Sequence, residues 1–213
     1  NSADNRAYDY PLIRKKYVLL LVLTPLIAAE TVLQALYFAG LKADVITSCC
    51  GSLFSSEQSG VSSDIASLPP GPSMAVFYLF FALTVFTGIL YRFRQKLGAF
   101  FSLSSGLFFL VACISFISFI SLYFYELPTH HCPFCVLQKE YGYVGYVLYA
   151  ALLSGAVSGL GVGALMPYGG IGSLSLVLPA LQKRLAAACL IAYLAFAALS
   201  TWRIVATDFT LGL

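Results

Sequence analysis

Six cysteines stand in this chain, and four of them fall in two close groups, Cys49-Cys50 and Cys132-Pro133-Phe134-Cys135. Thiols spaced as Cys-x-x-Cys can close a disulfide, and a thiolate from either group can attack a disulfide held by the other. Adjacent cysteines behave differently. Their Cα atoms are about 3.8 Å apart across a trans peptide, below the roughly 4.4 to 6.8 Å of an ordinary disulfide. A bond between Cys49 and Cys50 is therefore strained and easily reduced, or one of the two reaches another thiol. His130 and His131 precede Cys132 directly, and a protonated imidazole there would lower the pKa of that thiol. The order His-Cys-x-x-Cys is not the Cys-x-x-Cys-His of covalent haem attachment. Cys113 and Cys189 lie inside long apolar runs and read as packing residues.

The elements that must position these thiols are membrane helices. Hydrophobic residues make up 60% of the 213 and charged residues only 10%. A soluble domain carries about 25% charged residues, so a water-soluble globule is excluded. The net charge of +3, with no basic run longer than Arg14-Lys15-Lys16, excludes a nucleic-acid binder. Crossing the hydrocarbon takes about 20 mainly apolar residues, and five segments qualify, near 17–39, 74–91, 97–125, 135–159 and 185–205. The predicted fold is all-α, a polytopic membrane helical bundle of five transmembrane helices. The end of the fourth span is the weakest boundary, because no charge stands between Tyr141 and Gln182. Gly155, Gly159 and Gly163 recur at every fourth position, which suits close helix packing. Gly169-Gly170-Ile171-Gly172 reads as a flexible link, since no strand precedes it and no lysine follows.

Lys and Arg are retained on the cytoplasmic side of a membrane. Arg14, Lys15 and Lys16 precede span one, Arg92, Arg94 and Lys96 join spans two and three, and Lys183 and Arg184 precede span five. Five spans place all three clusters on one face, with the N-terminus cytoplasmic and the C-terminus outside. Arg14-Lys15-Lys16 and the run after it resemble a signal peptide, but the run is too long and lacks a small-x-small cleavage site, so it reads as a retained span. The outer loop 40–73 and the loop before span four then share the periplasmic side of a bacterial inner membrane. That compartment is oxidising, and disulfides persist there. Cys132-Pro133-Phe134-Cys135 is expected at the start of the fourth helix, where unpaired amides and the helix dipole would stabilise a thiolate on Cys132. Pro133 suits a first helical turn because it has no N–H to leave unsatisfied. From Gly40 to Cys50 the chain can extend about 33 Å, enough to bring a loop thiol to the mouth of span four.

The loop residues Asp44-Val45, Ser48 and Cys50-Gly51-Ser52-Leu53-Phe54-Ser55-Ser56 resemble a motif of the vitamin K epoxide reductase family. That family has an Asp-Val pair, then a Ser-Cys, then a hydrophobic-Ser-Ser segment. Leu68-Pro69 before span two and the CxxC at the start of span four also fall in the family's places, so the resemblance covers about residues 43–152. It implies a four-helix catalytic core and a thiol relay. A separate thioredoxin-like periplasmic protein would reduce a disulfide at Cys49 or Cys50, the loop thiol would exchange with Cys132, and Cys135 would pass electrons to a membrane quinone, ubiquinone or menaquinone. No metal is expected. Bacterial members often carry a thioredoxin-like domain after a fifth span, and its absence from this sequence is the reason to expect a separate partner. Departures from the pattern are plain. The family's first loop cysteine falls at Ala43, Lys139 stands where a Tyr is common, with Tyr141 two residues on, and span two has no Asn.

The candidate quinone contacts are Phe134, Tyr141, Glu30 and Gln34. Glu30 lies about two-thirds along span one, with Gln34 one turn on and on the same face. A charged residue near a span centre costs roughly 2.5 to 3.5 kcal/mol to insert, so it is expected to face a bundle interior. It would relay a proton to reduced quinone, or serve as a polar clamp between helices, and both readings stand. Tyr141, Tyr143, Tyr146 and Tyr149 also fit an aromatic belt at the membrane rim or a packing face. Two other functions use the same cysteines. One is a non-catalytic subunit of a larger membrane complex, braced by inert disulfides such as Cys50 to Cys132. The other is a carrier of soft metal ions, held by Cys49, Cys50, Cys132 and Cys135 with a histidine.

Overall fold

Hydrocarbon offers no water to the backbone, so an apolar run in lipid satisfies its amides and carbonyls internally, as helix. The computed structural model describes residues 3–41, 61–209 and 211, apart from the side chain of Ser62. Cys49, Cys50 and the motif around them, from Ala43 to Ser56, lie outside the described residues. A 3-10 turn at Asp4–Arg6 leads to α1 (Ile13–Ala39), followed by α2 (Val61–Ala66) and α3 (Pro70–Arg94). Next, α4 (Gly98–Ser115) continues through a π turn (Phe116–Ile120) into α5 (Ser121–Tyr125). Two 3-10 turns, Cys135–Leu137 and Lys139–Tyr141, precede α6 (Val144–Leu165), which a third 3-10 turn (Met166–Tyr168) prolongs. The chain then forms α7 (Gly172–Ser175) and α8 (Leu178–Ala206). No strand occurs among the described residues. Among the described residues five stretches are long and apolar enough to cross a membrane: Ile13–Ala39, Pro70–Arg94, Gly98–Tyr125, Val144–Tyr168 and Leu178–Ala206. The all-α, five-span architecture expected from the sequence is the one observed.

The chain divides into two compact units, one of residues 1–48 and 168–178, the other of 49–167 and 179–213. In the first, α1 buries none of its 27 residues. Thr24 and Thr31 donate their hydroxyls back to the carbonyls of Leu20 and Ile27, which hides both groups from lipid. Gln34 donates to the Glu30 carboxylate, so the two share a face as their spacing predicts. Ahead of the helix, the Asp4 carboxylate accepts the Leu12 amide at 2.8 Å and pairs with the Lys16 ammonium.

In the second unit α4 is the central helix, with α3 and α6 packed along it and α8 closing the group. Phe77 of α3 meets Phe108 and Phe119 on the α4–α5 span and Phe196 of α8, with ring centroids 5.4 to 6.2 Å apart. Tyr193 of α8 is fully buried against Phe108. Its hydroxyl donates to the Ser105 carbonyl at 2.9 Å and accepts the Ser105 hydroxyl at 3.2 Å. Thr84 of α3 likewise donates to the Ser104 carbonyl at 3.0 Å. The glycine spacing in α6 does what it suggests. A Cβ at Gly155, Gly159 or Gly163 would run into Tyr193, Ser105 or Ser102 respectively, so only bare backbone lets the helices approach this closely.

Four span starts move. Spans one, two and five begin four to seven residues before their hydropathy limits of 17, 74 and 185, at Ile13, Pro70 and Leu178, because lysine, arginine, proline and serine can sit in a first turn at the membrane surface. The fourth span begins nine residues late, at Val144, and passes straight through Gly159 to Leu165. The Gly169–Gly172 link is short and passes at once into α7.

Candidate functional site

The late start of α6 changes the setting of the CxxC. Gln138 is extended (ψ 161°), and Gly142 and Tyr143 are left-handed (φ 63° and 57°), so the backbone cannot carry a helix from Cys135 into α6. Cys132, Pro133 and Phe134 lie in irregular chain, and Cys135 opens a 3-10 turn of three residues. The expected placement at the N-terminus of a long helix, with its dipole on Cys132 and Pro133 in its first turn, does not hold.

Aromatic hydroxyls hold the segment instead. Tyr125, the last residue of α5, donates to the Cys132 carbonyl at 2.6 Å and accepts the Val136 amide at 2.8 Å. Tyr149 of α6 donates to the Pro133 carbonyl. His131 donates from Nδ1 to the carbonyl of Ile117, 2.9 Å away in the π turn. A π turn shifts the helical hydrogen-bond register, and such turns are frequent at functional sites. Gly145, at the start of α6, admits the chain after the CxxC: a Cβ there would lie 2.6 Å from Val136 Cγ1 and 2.9 Å from its carbonyl carbon. Held this way, Cys132 and Cys135 are 1% and 8% exposed.

The two histidines before Cys132 are turned to other partners. His131 is buried, with Nδ1 engaged by Ile117. Burial, and secondarily the neighbouring His131, pushes the His130 pKa below that of an ordinary imidazole, towards the neutral form. Its ring meets the Tyr125 ring edge-on, with centroids 4.7 Å apart.

Pro133 and Phe134 face an apolar cleft of about 260 Å³ between α4 and α6, where Phe109, Cys113, Phe116 and Tyr149 complete the wall. Phe134 is 60% exposed at its edge. Tyr141 belongs elsewhere. It packs edge-on against Tyr125, with centroids 4.7 Å apart, and lines a second cleft with Phe124, Glu140, Trp202 and Arg203. Burial raises its pKa above that of a free phenol, so it remains protonated, a hydrogen-bond donor. Below this cleft Glu126 accepts Arg203 Nη2 at 2.7 Å and Thr207 Oγ1 at 3.0 Å, while Arg203 Nε donates to the Tyr123 carbonyl at 3.0 Å. These bonds tie the ends of α5 and α8 together and anchor the loop that leads to Cys132.

Of the residues singled out in the sequence, the structure brings Cys132, Cys135 and Phe134 together, and joins Tyr141 to them through Tyr125. Glu30 and Gln34 belong to the first unit, bonded to each other. Cys49 and Cys50 lie outside the described residues. Among the described residues no three metal-ligating side chains gather into a group that could hold an ion. Tyr125, Tyr149 and Cys113 are the residues sequence reasoning missed. Tyr149 reads from sequence as belt or packing surface, Cys113 as core, and Tyr125 carries no signal beyond its place at the end of a span.

The fold and site thus define a helical bundle suited to a lipid bilayer, with a buried CxxC behind an apolar cleft. No family model matches the chain, and neither does any curated protein or solved structure.

Proposed function

We propose that this chain is a membrane thiol–disulfide oxidoreductase that passes electrons from periplasmic thiols, through Cys49 or Cys50 and then the Cys132–Cys135 pair, to a membrane quinone. One observation carries the reading: the CxxC lends Pro133 and Phe134 to the wall of an apolar cleft while its two sulfur-bearing residues stay buried behind that wall. The cleft, at about 260 Å³, lies below the roughly 300 to 1,000 Å³ of sites for drug-sized ligands. It suits a single flat ring whose isoprenoid tail remains in lipid. The positive-inside pattern favours an N-terminus in the cytoplasm of a bacterial cell, which puts the CxxC on the oxidising side.

The exchanges balance as follows. A thioredoxin-like dithiol reduces a disulfide held by a loop cysteine and is itself oxidised. The two thiols so released reduce the Cys132–Cys135 disulfide and close their own S–S bond again. The resulting Cys132 and Cys135 thiols close their S–S bond again, releasing two electrons and two protons, which convert quinone to quinol. The Tyr125 and Tyr149 hydrogen bonds hold the backbone of the pair fixed while the S–S bond forms and breaks, so that only sulfur positions change.

Rapid mixing of the reduced full-length protein with a short-chain ubiquinone analogue tests this reading. Wild type is expected to reduce the quinone, and Cys135→Ala to abolish the reaction. An inert wild type, or an equally active variant, overturns it. So does a Cys132–Cys135 disulfide with a potential below about −300 mV, which marks a structural brace.

A further inference from the structure

Within the first unit, and independent of the thiols, a groove of about 410 Å³ runs along the start of α1. Its two ends differ in chemistry. At one end Lys15, Lys16 and Tyr168 stand beside Leu12, and along the other run Val18, Leu19 and Val22. Lys16 is committed to Asp4, its Nζ lying 2.5 Å from Oδ2. Lys15 forms no ion pair with a described residue, and its Nζ lies 4.5 Å from the centroid of the Tyr168 ring. An ammonium has three N–H donors, and one seated over a ring face keeps donors directed away from it, available to an anion.

The position of this groove along the helix gives it meaning. α1 has 27 residues, about 40 Å at 1.5 Å per residue, against a hydrocarbon core of about 30 Å. Its first turn, with Arg14, Lys15 and Lys16, therefore reaches headgroup level. Val18 to Val22 enter the acyl region just beyond, since Lys15 and Val22 are about 10 Å apart along the axis. A soluble anion would use the lysine and leave the apolar wall idle. A neutral apolar molecule would leave the lysine idle. An anionic head on a hydrocarbon tail uses both, and basic pockets beside membrane helices bind such lipids. We propose that this groove is a binding site for an anionic phospholipid, its phosphate at Lys15 and Tyr168 and the first part of one acyl chain along Val18, Leu19 and Val22.

Native mass spectrometry of the full-length protein, released from micelles doped with phosphatidylglycerol or phosphatidylcholine, tests the site. Wild type is expected to retain phosphatidylglycerol selectively. Lys15→Gln should weaken that retention at least about fivefold, the loss of one hydrogen bond to the phosphate. Arg14→Gln removes the same charge from the same turn but touches no wall of the groove, and it should retain the lipid as wild type does. Added glycerol phosphate, which has the head without the tail, should not displace it. Equal losses in the two variants would reduce the effect to general surface charge. Equal retention of both lipids, or displacement by glycerol phosphate, would also overturn the proposal.

Discussion

Tyr125 and Cys132 are joined by a 2.6 Å hydrogen bond from the phenol at the end of α5 to the main-chain carbonyl of the first CxxC cysteine. The same oxygen accepts the amide of Val136, one residue beyond the second cysteine. A single hydroxyl therefore clamps both ends of the segment. Tyr125→Phe preserves the ring and its contacts with His130 and Tyr141 but strips both bonds, leaving a buried carbonyl and a buried amide unsatisfied. Each such loss costs about 1 to 3 kcal/mol. The variant is expected to melt at lower temperature and to expose Cys132 to a maleimide faster than wild type does. Unchanged melting and labelling together would show that the clamp bears no load.

Gly145→Ala tests the fit between α6 and the chain after the CxxC. Alanine is favoured over glycine in a helix by up to about 1 kcal/mol, so propensity alone predicts stabilisation. The Cβ would meet Val136 at 2.6 Å, with its carbonyl carbon at 2.9 Å, and backbone cannot yield as a side-chain tip can. Overpacking of this kind costs about 1 to 3 kcal/mol, so the net effect is destabilising. Gly170→Ala, where a Cβ meets nothing within 4 Å, is the matched control and should melt like wild type. A chemical-denaturation midpoint for each variant decides between the two expectations.

His130 makes stability depend on pH in a defined direction. Burial, and then the adjacent His131, lowers its pKa in the folded chain below the ordinary 6.5. The unfolded chain then binds more protons than the folded one, so stability rises with pH across that interval. Its contribution is complete above 6.5 and is lost as pH falls through the lowered folded value. His130→Gln should flatten the fall in melting temperature between about pH 7 and pH 5. Asp4 does not confuse the measurement. Burial alone would raise its carboxyl, but the Lys16 ammonium and the Leu12 amide hold it below 3.8, beneath the interval scanned. A slope identical in wild type and variant would assign the pH dependence to other groups.

The architecture was legible in the sequence because lipid imposes a length and an apolar composition on every span. The glycines of α6 were legible for a related reason, since a helix interface repeats every third or fourth residue wherever its partner lies. Cys189 reads correctly as core, fully buried beside Ser105, whereas Cys113, read the same way, lines a cleft. Hydropathy treats the two alike because it measures distance from water and carries no record of which helix stands opposite.

The start of α6 shows where sequence reading stopped. Residues 135–137 are apolar, but Gln138, Lys139 and Glu140 are not, and the backbone at Gln138, Gly142 and Tyr143 breaks the helix before Val144. That break moved Cys132 off a helix end and transferred its support to Tyr125, Tyr149 and Gly145, residues on other elements with no local mark of the task. By itself, then, the sequence determined the helical class and the five apolar stretches, and it proposed the CxxC as the place where chemistry would lie. The tertiary structure alone decided what surrounds that CxxC, because hydrogen bonds and close contacts between distant parts of the chain exist only once those parts have packed.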